Sequence, residues 1–345
     1  MEIYVFDKGL RLLGIVEAYD YFRWSRKYSA CGSFTLKAVA NDQNLSLLQR
    51  DNFLWKNDDP EAGTIESVEL SMQDRETVEV GGRFATSLLG RRIVWGTELL
   101  QGDLSAAVSG LLSSHLIAPA DSARKIDGVL FSSPALGIPV NTQISYKNLL
   151  TTVEELCDAN DVGVRTLFDP AQKTMTVNLY RRPQTPAVFS REFENITGQI
   201  FLQSARDYSS VALVGGEGEG AERVMATVGS AAGLERYELF VDAKDLRSED
   251  FGGGYAGVLA LRGQIKLNER QMVCNFDAEI HPYGNLKYKT DFDLGDIVTV
   301  VSRRWGVTMQ TRITEIEESY DGDEMSLRAV FGRGAMSLIQ KLKGR

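Results

Sequence analysis

The chain has 345 residues, 43% of them apolar and 25% charged, a globular composition that excludes collagen-like and broadly disordered proteins and leaves room for two or three domains. Acidic residues outnumber basic ones 47 to 38, for a net charge of −9, and no like-charged run forms a tail. That balance argues against a dedicated DNA-binding surface.

In chain order, residues 2–6 and 12–16 are short runs of Ile, Val, Leu and aromatics around Asp7-Lys8-Gly9, which predicts a β-hairpin. Further strands are predicted at 33–39, 52–56, 63–70 and 76–80, at the spacing of a small barrel or sandwich. The period then changes. Leu104, Ala107, Val108, Leu111 and Leu112 fall on one helical face, and Leu149, Val153, Leu156 and Cys157 on another. Ser145 is the expected N-cap of the second helix, which gives way at Asn160-Asp161-Val162-Gly163 to two strands around residues 169–173. Strand patterns return at 200–202 and 210–214, and the Gly-rich turn 215–220 leads into 223–228 as a hairpin with a flexible tip. Residues 242–285 predict a helix with Val258, Leu261 and Ile265 on one side and a strand at 272–280. The last part is β-like at 296–301, 309–317 and 325–331, followed by an amphipathic segment at 335–342.

The end of the chain repeats the end of its first domain. Residues 50–55 match 295–300, 65–69 match 313–317, and 82–83 with 85–88 match 332–333 with 335–338. Matches in the same order point to a duplicated β-domain. The expected fold is therefore mainly β with α+β insertions. Two similar β-barrel domains would occupy 1–97 and 191–241 plus 286–345, with an α+β domain at 98–190 between them and a smaller α/β unit at 242–285.

The residues that could carry chemistry are few. His115 and His281 lie in no nucleophile motif; His115 is expected at a helix end as a cap or surface residue, and His281 precedes Pro282 at a strand end. The glycines 216, 218 and 220 have the wrong spacing for a dinucleotide fingerprint. Asp291, Asp293 and Asp296, and the acidic turn 321–324, lack the pattern of a calcium loop and suit solvated turns. Trp24, Trp55, Trp95 and Trp305, with Tyr28 and Phe34, suit barrel cores better than a sugar platform. Cys31, Cys157 and Cys274 are odd in number and far apart, so reduced thiols are expected, without a disulfide framework or metal cluster. The N-terminus lacks a secretory signal, and no apolar stretch approaches the roughly 20 residues of a membrane-crossing helix. No Sec export and no membrane anchor are expected. Catalytic, cofactor-binding and metal-ligating residues are all expected to be absent.

Several segments resemble the central hub proteins of phage tail tips and baseplates. They are the opening hairpin, Arg26-Lys27-Tyr28-Ser29-Ala30-Cys31-Gly32-Ser33-Phe34-Thr35-Leu36, Leu88-Leu89-Gly90-Arg91-Arg92-Ile93, and Tyr288-Lys289-Thr290-Asp291-Phe292-Asp293-Leu294-Gly295-Asp296-Ile297-Val298. The chain is similar to siphophage tail hubs, to the structural part of tail-associated lysins and to myophage baseplate hubs. This resemblance implies a homotrimer whose paired barrels present six similar units to a six-fold tail tube, around a conduit for tape-measure protein and for DNA in transit. It also implies distal tail, tail-tube, fibre and tip proteins as partners, and a place in the tail tip of a virion made in the host bacterial cytoplasm. Many relatives continue into a hydrolase or fibre domain, whereas this sequence ends at Arg345, so lytic activity is not expected. A host-glycan-binding tip module and an undetected cell-wall hydrolase are the alternative readings. Saturable cell-wall binding would mark the first, and turnover lost on mutation of His115 or His281 the second.

Overall fold

Alternating apolar residues turn the first part of the chain into one curled antiparallel sheet. The computed structural model describes residues 1–281, 284–322 and 324–332. Strands β1 (Ile3–Phe6) and β2 (Leu12–Val16) form the expected hairpin. They are followed by β3 (Tyr21–Lys27), β4 (Ser33–Val39), the short helix α1 (Asp42–Leu47), β5 (Phe53–Lys56), β6 (Ala62–Met72) and β7 (Glu76–Phe84). Phe22, Trp24, Phe34, Leu36, Val78 and Val80 share the buried face of this sheet. Trp24 anchors it, its ring centroid 4.3 Å from that of Phe84. Strand β3 lies outside the sequence expectation, because Ser25 and Arg26 interrupt its alternation and are nevertheless buried.

The middle block contains β8 (Thr97–Asp103), α2 (Leu104–Leu112), β9 (Val129–Phe131), β10 (Pro139–Ser145), α3 (Leu149–Ala159), β11 (Gly163–Asp169) and β12 (Thr174–Tyr180). The expected faces of α2 and α3 pack into one core, except that Leu156 is only half-buried. Ser145 is not the cap of α3. It ends β10 opposite Thr97, and the Asn148 side chain instead accepts the free N–H groups of Leu150 (3.1 Å) and Thr151 (3.3 Å).

The remaining elements are β13 (Gln184–Phe189), β14 (Ile196–Ser204), β15 (Val211–Gly215), β16 (Met225–Val228), β17 (Glu238–Asp242), α4 (Tyr255–Asn268), β18 (Val273–Ile280), β19 (Ile297–Ser302), β20 (Val307–Asp321) and β21 (Glu324–Gly332). Strands β15, β16 and β17 make a sheet of their own, covered by α4. Residues 211–228, expected in the second β-domain, thus sit in this small sheet, while β18, expected in the inserted unit, joins the large one. The buried stripe of α4 is Tyr255, Val258, Leu259, Gly263 and Leu267, so Leu261 and Ile265 lie at its flanks, half-buried. Gly263 permits the close approach: a Cβ there would lie 2.7 Å from Val214 Cγ2.

The large sheet runs β14-β18-β21-β20-β3-β4-β7-β6-β5-β1-β2, with β19 joining β20 to β13. This path stays open at β14 and β2, so the described residues contain curled sheets and no closed barrel. Within it, β3-β4-β7-β6-β5 and β14-β18-β21-β20-β19 have the same spatial order, the same chain order and the same antiparallel pairings. The small sheet and α4 are inserted between the first two strands of the second set. The fourth strand of each set, β6 and β20, bulges at the same place, between Ile65 and Ser67 and between Ile313 and Glu315, and both isoleucines are fully buried. The Asp51 N–H donates to Ile65 O (2.8 Å) and the Ile65 N–H to Asn52 O (2.8 Å); Gly295, Ile313 and Asp296 repeat both bonds at 2.9 Å.

These bonds place Asn52 with Asp296, and the register across Ile65 and Ile313 places Gly82 with Phe331. The sequence pairing of 50–55 with 295–300, and of Gly82 with Gly332, is therefore displaced by one residue. The matches to Arg333 and to 335–338, and the segment 335–342, lie outside the described residues. The two sets differ at one flank, where β1 runs antiparallel to β5 but β13 runs parallel to β19.

Candidate functional site: one buried joint and two open edges

The two five-strand sets meet where β20 pairs with β3 over seven residues, from Glu315 opposite Lys27 to Asp321 opposite Tyr21. One continuous sheet results. Behind the joint, charged side chains from both halves are buried together. Lys56, 0% exposed, pairs with Glu318, 1% exposed, and with Asp58 Oδ1 at 2.9 Å. Tyr288 donates to Glu318 Oε1 (3.1 Å), Tyr320 donates to its Oε2 (2.6 Å), and Lys289 Nζ lies 3.3 Å from Asp58. Arg26 donates to Asp293 (2.8 Å) and to Tyr288 (3.0 Å), and its Nε lies 3.3 Å from Asp59.

Opposite charges decide the ionisation of this cluster. Burial works against the charge on Lys56, but Glu318 and Asp58 outweigh it and raise its pKa. Burial likewise opposes ionisation of Glu318, and Lys56 with Lys289 outweighs it, so its pKa is lowered. Glu61 goes the other way. Burial, reinforced by Asp59, pushes it up to about 8 despite Arg26. Such pairs are weak sources of net stability, yet breaking one strands a buried charge at a cost of about 3–5 kcal/mol. They specify how the two halves meet.

Among the described residues, no strand pairs with the edges equivalent to this joint. Beyond Ile65, β6 is bonded only to β7, and β14 only to β18, among the described residues. Apolar side chains line both: Val68, Leu70 and Met72 are 41%, 63% and 75% exposed, and Ile200 and Leu202 are 65% and 43% exposed. An exposed edge strand with apolar residues is a template for pairing with another chain. The sheet face opposite the cores carries a shallow depression lined by Asp277, Glu279, Glu317 and Arg328 together with Ile200 of β14.

The residues singled out in the sequence are not brought together. His115 is neither cap nor surface: it is buried in the wide turn after α2, accepts at Nδ1 from the Trp95 N–H (3.5 Å), and has Nε2 at 3.2 Å from Glu98 Oε1. Burial lowers its pKa, with Glu98 opposing. His281 lies at the end of β18, its N–H donating to Asn195 O. The glycine turn is a hairpin tip, closed by Gly216 N–H to Val224 O (2.8 Å). Asp291 accepts from the Lys287 N–H, Asp293 is taken by Arg26 and Asp296 by Arg182, and no acidic or His/Cys group among the described residues is placed to hold a metal. Asp323 and Pro282 lie outside the described residues. Trp24 is core, Trp55 packs on Phe168, Trp95 lies under Arg124 and Trp305 packs on Phe276, so they form no platform. All three cysteines are free, and no helix among the described residues is long and apolar enough to cross a membrane.

This fold is that of phage tail proteins. A 43 kDa tail protein of prophage MuSo2 from Shewanella oneidensis superposes with a TM-score of 0.66 at 13% identity, covering 96% of this chain and 98% of its own. Prophage tail protein gp18 from Listeria monocytogenes gives 0.63 at 12%, covering 99% and 98%, and a tail protein from Neisseria meningitidis gives 0.59 at 11%, covering 96% of each. No curated protein matches the sequence. The chain belongs to the family described as Siphovirus ReqiPepy6 Gp37-like protein, whose model matches residues 2–333.

Proposed function

We propose that this protein is the structural hub of a siphovirus-type tail tip. Three copies would form a ring that joins the six-fold tail tube to the tip and leaves a conduit for tape-measure protein and DNA. The observation that carries this reading is the repeated five-strand order, with matched bulges, inside one chain. Two alike units per chain are what three chains need to meet a six-fold partner, and a closed rotation axis satisfies such head-to-tail contacts without forming filaments. We infer that the two units arose by internal duplication.

The net charge of −9 suits a conduit, because phosphates are repelled by acidic surface and slide without sticking. In this reading the distal tail, tail-tube, fibre and tip proteins are the partners, the site of action is the virion tail tip, and the chain needs no catalytic centre, metal or cofactor. Native mass measurement on the purified chain and on assembled tails tests it: three copies per ring are expected, and a monomer up to millimolar concentration with no ring in the tail would overturn it.

A further inference from the structure

We infer that β6 of one chain pairs with β14 of the next, in the register that β20 and β3 use within the chain. The inference rests on the ring reading above and names the contact that closes it. Its basis is an equivalence of strands. Glu318 and Leu70 sit at matching points beyond the bulges, opposite Leu327 and Val78. Trp24 and Phe201 also match, since each faces a buried Phe (Phe34 or Phe276) that itself faces one of the matched residues Gly82 and Phe331. Inside the chain Glu318 lies opposite Trp24. Carried across the repeat, Leu70 lies opposite Phe201 of the next chain, Glu69 opposite Leu202 and Ser71 opposite Ile200.

This occupant accounts for both open edges at once. Each edge has a row of unpaired backbone groups and exposed apolar side chains, and each is the counterpart of one half of a joint already made once in the molecule. The contact puts Leu70 on Phe201 where the internal joint has Glu318 beside Trp24. A full row of main-chain hydrogen bonds, with Leu70 buried against Phe201, is the chemistry by which one chain adds a strand to another.

Disulfide trapping tests the register. Directly opposed residues of antiparallel strands have Cα atoms about 4.5–5.5 Å apart, within disulfide reach, whereas a two-residue slip puts them at about 7–8 Å. Cys274 lies beside β14, opposite Gln203, so the background is Cys274→Ser. In assembled tails, mild oxidation of Ser71→Cys with Ile200→Cys is expected to link most chains into covalent dimers and closed trimers. Either single variant is expected to give no such ladder, and Ser71→Cys with Leu202→Cys at least tenfold less. Native mass showing a trimer in which the facing pair stays unlinked, or the slipped pair links better, overturns the register while the ring stands. A chain that never trimerises overturns both.

Discussion

The filled joint and the open edge of β6 use the same strand positions, and they differ in kind at one of them, where the joint has the buried Glu318 with its ion pair and the edge has Leu70. At the joint, β20 presents Ile316, Glu318 and Tyr320 toward β3, and a network of buried charge lies behind them. At the edge, β6 presents Val68, Leu70 and Met72 to solvent at the equivalent points. A contact made inside one chain has its partner permanently at hand, so it can use ionic pairs that cost desolvation but define geometry. A contact between chains must repay lost translational freedom, for which apolar burial is the better source of free energy.

Removing charge at the joint gives the largest expected effect. Lys56→Ala leaves the buried Glu318 with Lys289, 3.7 Å away, as its remaining cation beside the Tyr288 and Tyr320 hydroxyls. Denaturant unfolding is expected to record a loss of about 3 kcal/mol, the low end for breaking a buried pair. The double variant Lys56→Met with Glu318→Leu is expected to recover most of it. The next effect is on pH dependence. Glu61, facing Asp59, Arg26, Arg165 and the Thr166 N–H, titrates at about 8 in the fold, above the ordinary carboxyl value near 4.5. A raised folded pKa contributes stability that is complete at acidic pH and lost as pH climbs toward 8, at up to about 1.4 kcal/mol per pH unit. Unfolding measured between pH 5 and pH 9 is expected to lose that slope in Glu61→Gln. Glu318, with its lowered pKa, has the opposite sign and loses its contribution only as pH falls into the acid range.

Smaller effects sharpen the contrast. Away from both regions, Asn148→Ala is expected to cost about 1 kcal/mol through the lost cap of α3, and Ser145→Ala less than about 0.5 kcal/mol. At the open edge, Leu70→Lys is expected to change folding stability by less than about 0.5 kcal/mol, because no described strand covers it, while lowering the trimer fraction in native mass measurement.

Local periodicity made much of this architecture legible. The opening hairpin and the faces of α2 and α3 follow from alternation and the 3.6-residue period. Strand β3 escaped because Ser25 and Arg26 are buried by partners far along the chain: the Ser25 hydroxyl meets Glu317 at 3.0 Å and Arg26 meets Asp293. Over the described residues, the likeness of β5 and β6 to β19 and β20 was legible to within one residue. Matching Asp51 to Asp296 by residue type misled, because the backbone equates Asp51 with Gly295, both at positive φ (69° and 89°), where Asp and Gly are tolerated. The β15–β16 hairpin was legible, but the joining of β17 to β15 and of β18 to β14 and β21 depends on pairing across long stretches of chain, which no local window contains. The open edges had one sequence signal, the alternation of Val68, Leu70 and Met72 past the point where β5 ends.

Averaged images of the ring, viewed down its axis in assembled tails, test the central claim most directly. The account predicts three chains showing six similar densities, with β6 of each against β14 of its neighbour. Six chains per ring, or three chains whose second units lie outside the ring, would contradict it.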